Sequence, residues 1–90
     1  MSDARADKSQ LPEKLTITLS KPIEFDEKTF DKIELVEPVA GQIVKAGREK
    51  DAVASNIVLV SEVAGVPIDV VRKMRARDFE RAAQFLHSFL

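Results

Sequence analysis

Leu15, Ile17 and Leu19 alternate with Thr16, Thr18 and Ser20, the period-two pattern of a strand with one buried face. A second short apolar run, Ile33, Leu35 and Val36, is bounded by Pro38. Between them Lys21, Pro22, Asp26, Glu27 and Lys28 make a polar, turn-rich connection that Ile23, Phe25 and Phe30 interrupt. This pattern predicts a β-hairpin with strands over about residues 14–20 and 31–36, joined by a long loop that returns side chains to a core.

After Pro38 the apolar period becomes helical. Gly41 and Gly47 flank Gln42-Ile43-Val44-Lys45-Ala46, room for a turn or two of helix at most. Asp51 is placed to cap a helix over about residues 51–64, where Val53, Ile57, Val60 and Ala64 fall at helical spacing. Val58, Leu59 and Val63 widen that stripe, which implies burial against more than one neighbour. The β-branched content of residues 57–60 is also compatible with a buried strand; the helix is the preferred reading. Gly65 suits a helix C′ position and Pro67 the first turn of a new helix over about residues 67–74, with Asp69 near its positive end. Arg75-Ala76-Arg77 has no large apolar side chain, so a break is placed there, and Asp78 opens a last helix over about residues 77–90. The expectation is an α+β fold: an N-terminal hairpin followed by three helices.

Length and composition bound this picture. Ninety residues allow one domain, and a chain of that size buries only about 60–65% of its unfolded surface, so marginal stability or help from a partner is expected. Hydrophobic residues at 44% with 32% charged indicate a globular, soluble chain, and no apolar run is long enough for a bilayer. Met1 to Gln10 is polar, with no apolar core of a signal peptide. Residues 1–13 are therefore read as a disordered lead and residues 14–90 as a single domain. The absence of cysteine removes disulfide and thiolate chemistry. Residues 1–37 carry 6 basic and 9 acidic side chains and residues 38–90 carry 8 and 6, so the two parts can attract each other or further copies.

The inventory for catalysis is nearly empty. His87 is the single histidine, there is no tyrosine or tryptophan, and the carboxylates stand singly or as Asp26-Glu27 in the connection; no metal or cofactor site is expected. Gly41, Gly47 and Gly65 are too widely spaced for a phosphate loop. Residues Val60 to Met74, with the basic cluster Arg72, Lys73, Arg75, Arg77 and Arg81, are loosely like a helix-turn-helix. Where bases would be read, however, the second helix opens with Pro67, Ile68 and Asp69, and the chain has a net charge of −1. Three of the five phenylalanines lie in the last twelve residues, which end Phe85-Leu86-His87-Ser88-Phe89-Leu90. Phe85, Leu86, Phe89 and Leu90 are the candidate partner or oligomer interface.

One family resemblance draws these features together. Ile17-Thr18-Leu19-Ser20-Lys21-Pro22-Ile23 followed by Ile33-Glu34-Leu35-Val36-Glu37-Pro38 resembles the opening of the tail assembly chaperones of contractile-tailed phages and Mu-like prophages. Asp78 and Phe85-Leu86 are similar to that family's late helix, while Val36-Glu37 departs from a Leu-Arg pair common in relatives. The resemblance implies a non-enzymatic factor that binds and solubilises the tape measure protein and assists tail tube assembly. It further implies tape measure and tail tube protein as partners, a homo-oligomer, no nucleic acid or membrane, and action in the host cytoplasm without incorporation into the virion. The alternatives carried forward are a small helix-turn-helix-like DNA-binding regulator and a minor structural tail subunit.

Overall fold

A computed structural model describes residues 14–90. The expected disordered lead over residues 1–13 lies outside the described residues. An antiparallel hairpin of β1 (Lys14–Phe25) and β2 (Lys28–Val36) is followed by α1 (Ala40–Ala46), α2 (Ala52–Ala64), α3 (Ile68–Arg72) and α4 (Ala76–His87). The α+β class and the order of hairpin before helices agree with the sequence pattern. Two bounds move.

The first is the hairpin itself, whose strands continue through the expected loop to a two-residue turn at Asp26-Glu27. Both turn residues have positive φ, 55° and 64°, the backbone of a I′ turn, whose twist matches that of paired strands. The register pairs Lys14–Thr18 with Val36–Lys32 and resumes at Ile23 opposite Phe30. Leu19, Ser20, Lys21 and Pro22 therefore stand against Asp31 alone, a large irregular bulge. Its effect is to rephase β2. Ile33 and Leu35 face inward at odd positions, and Phe30 packs on the same core from an even one. On β1, Ile17, Leu19 and Ile23 keep a single phase and are buried. Pro22, lacking an N–H, sits where the ladder is already broken.

The second is the helix count. Between Gly41 and Gly47 lies a seven-residue helix, so the described residues hold four helices where three were expected. Gln42 supports its start, its Oε1 accepting from the Val39 N–H at 2.9 Å while its Nε2 donates to the Glu62 carbonyl at 3.3 Å. Lys45 adds a 2.8 Å ion pair to Glu62. Both tie α1 to α2.

Helix α2 is the hub, packed against α1, α3, α4 and β2. Asp51 caps it by accepting from the Ala54 N–H at 2.7 Å. At the other end Gly65, at φ 70°, turns the chain and donates to the Ser61 carbonyl. Val58, Leu59 and Val60 are buried, whereas Val53, expected on the buried stripe, is exposed. The buried core joins these residues to Ile17, Ile33 and Leu35 of the hairpin, Val70 and Val71 of α3, and Ala82 and Leu86 of α4. Asp78 does not open α4. Arg75 is the N-cap and Asp78 stands in the first turn, its side chain turned toward β1.

Candidate functional site

Helix α4 is amphipathic, with Ala82, Ala83 and Leu86 buried and Phe79 half-buried, while Arg77, Glu80, Arg81 and Gln84 are exposed. Its position is set at both ends. Near the start, Asp78, only 3% exposed, accepts from the Ser20 N–H at 2.7 Å and the Ser20 hydroxyl at 2.9 Å. Near the end, His87 Nε2 lies 2.8 Å from Asn56 Oδ1 on α2.

The four expected interface residues separate into different environments. Leu86 is 0% exposed and belongs to the core beneath this end of the helix. Phe85 and Phe89 are half-buried, and their rings meet edge to face with centroids 5.2 Å apart at 84°, a favoured aromatic geometry. Leu90 is 56% exposed. Past the helix the backbone continues to turn, with Phe89 N–H donating to the Leu86 carbonyl and Leu90 N–H to that of His87. The Ser88 hydroxyl donates to the Phe85 carbonyl at 2.6 Å. These bonds hold Phe89 against Phe85 and leave Leu90 directed outward.

Further apolar surface was not among the residues expected at an interface. Val36, Val39, Ile43 and Val44 are exposed at the end of β2 and on α1. Val39 and Ile43 are four residues apart, a signal that carries weight only once α1 is counted as a helix. A shallow groove along α2, α3 and the start of α4 is lined by Val53, Ile57, Ile68, Met74 and Phe79, with Arg72 among them.

Other candidate chemistry is dispersed. Among the described residues no group of three or more His, Asp or Glu is placed to hold a metal ion, and no described helix is long and apolar enough to cross a membrane. Helix α3 has five residues, with Val70 and Val71 buried, too short to present the face a recognition helix lays in a major groove. Of the basic cluster, Lys73 Nζ sits 5.6 Å from the Phe25 ring centroid. The ion pairs among the described residues are Lys14–Glu34 and Lys45–Glu62, and neither joins the basic cluster to the hairpin.

Compared with known proteins, residues 16–90 match the family described as phage tail assembly chaperone proteins, E, or 41 or 14. The chain belongs to this family. The match spans hairpin and helices alike, in agreement with the resemblance carried by residues 17–23 and 33–38. No curated protein and no solved structure matches the chain. Of the residues that carry the resemblance, Ile17, Leu19, Ile23, Ile33, Leu35 and Pro38 are buried, while Thr18, Ser20, Lys21, Pro22, Glu34, Val36 and Glu37 are exposed.

Proposed function

We propose that this tail assembly chaperone acts without catalysis, binding the tape measure protein, keeping it soluble, and assisting assembly of the tail tube. In this reading it works in the host cytoplasm and is left out of the mature virion. The observation that carries the reading is the exit of α4, where exposed Leu90 follows the edge-to-face pair Phe85 and Phe89 on a backbone held by its own hydrogen bonds. An apolar group of this size contributes about 1.5–3 kcal/mol when moved from full exposure to burial, and the half-buried phenylalanines would add only part of that. A long apolar helix can cover them and be covered in return, a helix-to-surface mode that needs no reactive group. Leu86, lying in the core, supports the surface from beneath.

Titration of the folded chain with a helical segment of tape measure protein tests the reading. Saturable binding that perturbs Phe85, Phe89 and Leu90 in NMR spectra is expected. Perturbation confined to the groove over Ile57 would move the binding surface elsewhere, and no binding would refute tape measure recognition.

A further inference from the structure

The two outer edges of the hairpin differ in what they offer. Along β1 the edge is broken: Pro22 has no N–H, the bulge bends the strand, and the Ser20 N–H is taken by Asp78. Along β2 there is no proline. Its backbone groups make no hydrogen bond to any described part of the chain other than β1. An unpaired strand edge is a template for another strand. The charges along it indicate which strand.

Lys32 and Glu34 flank Ile33 and are exposed, whereas Ile33 and Leu35 are buried on the opposite face. Suppose a second β2 runs antiparallel beside the first, related by a twofold axis normal to the sheet. Residues directly opposite each other then share a face, so inward side chains must meet inward ones. Before Lys32 the bulge changes the phase of β2, so the axis is sought in the regular segment Lys32–Val36, where it can pass through any of the five residues. An axis at Lys32 opposes two ammonium groups, and one at Glu34 opposes two carboxylates. With the axis at Leu35 or Val36 both charges face uncharged residues. Only the axis at Ile33 sets Lys32 of each copy against Glu34 of the other, giving two opposite-charge pairs on the solvent face.

We propose that the chain self-associates through β2, with Ile33 on the twofold axis, to form a four-stranded antiparallel sheet from two hairpins. Exposed pairs of this kind contribute little affinity and act chiefly by rejecting other registers. The same alternation of charge that keeps this edge from pairing indiscriminately admits one self-complementary arrangement. The surface is separate from the exit of α4, and the inference does not depend on what that exit binds.

Sedimentation equilibrium of the full chain at physiological salt, with helix and strand content followed by circular dichroism, tests the proposal. The wild-type chain should dimerise. Lys32→Glu and Glu34→Lys should each weaken the dimer at least roughly tenfold, because both cross-strand pairs become like-charged. An equimolar mixture of the two variants should restore it, since every exchanged side chain again faces its opposite, and the double variant should restore it alone. A chain that stays monomeric, or a dimer that neither single substitution weakens, overturns the proposal. So does failure of the mixture to recover when both variants are folded. Protection of β2 amides that appears only on adding a tail protein would also overturn it, by assigning the edge to a foreign strand.

Discussion

Asp78 and Ser20, 58 residues apart in the chain, are joined by two hydrogen bonds from the serine N–H and hydroxyl to one buried carboxylate. The bond from the N–H satisfies a donor that the bulge in β1 takes out of the regular ladder. It also docks the first turn of α4 onto the hairpin, so one acidic side chain couples the β and α halves of the core.

Replacing Asp78 with alanine should therefore destabilise the fold by roughly 2 kcal/mol, the range for a lost charge-assisted bond and a stranded donor. Asp78→Asn should cost less, about 1 kcal/mol, because the amide oxygen can accept from the N–H while its nitrogen donates to the hydroxyl. Urea unfolding of both variants and of Ser20→Ala checks this. Costs for Ser20→Ala and Asp78→Ala should be less than additive when combined.

The turn at Asp26-Glu27 places two side chains in left-handed backbone that asparagine and glycine occupy more readily. Glu27→Gly should stabilise the hairpin by about 0.5–1 kcal/mol and raise the melting temperature. A fall would show that the Glu27 side chain contributes more than its backbone geometry costs.

Gly65 and Gly41 should respond oppositely to alanine. At Gly65 φ is 70°, so Gly65→Ala should cost about 1 kcal/mol or more. Gly41 lies within α1, and a Cβ there would have no atom within 4 Å; Gly41→Ala should stabilise by about 0.4–1 kcal/mol. Thermal melts of the pair measure both signs.

Where a single local rule governs, the chain was legible. The alternation from Leu15 to Leu19, the Asp51 cap, the Gly65 stop and the break before α4 all follow from nearest-neighbour chemistry. The hairpin's far half did not, because the bulge opposite Asp31 shifts the inward phase of β2 between Ile33 and Phe30, and a period-two reading ends wherever the phase does. The turn was hidden as well, since Asp26-Glu27 lacks the glycine that marks a tight hairpin. Asp78 has the residue type and place of a helix cap, and its partner on β1 is visible only in three dimensions. At the candidate site the apolar character of the last residues was plain, but the division of Leu86 into the core and Leu90 into solvent depends on the rotation of α4, which the Ser20–Asp78 bonds and Asn56 help to set.

We propose that the exit of α4 shields the tape measure protein. Co-expression of tape measure protein with the wild-type chain or with the Phe89→Ser/Leu90→Ser variant, with the soluble tape measure fraction quantified, tests it most directly. The variant should keep wild-type circular dichroism and a cooperative melt, yet leave the tape measure protein insoluble. A folded variant that solubilises it as well as the wild-type chain would rule out shielding by Phe89 and Leu90.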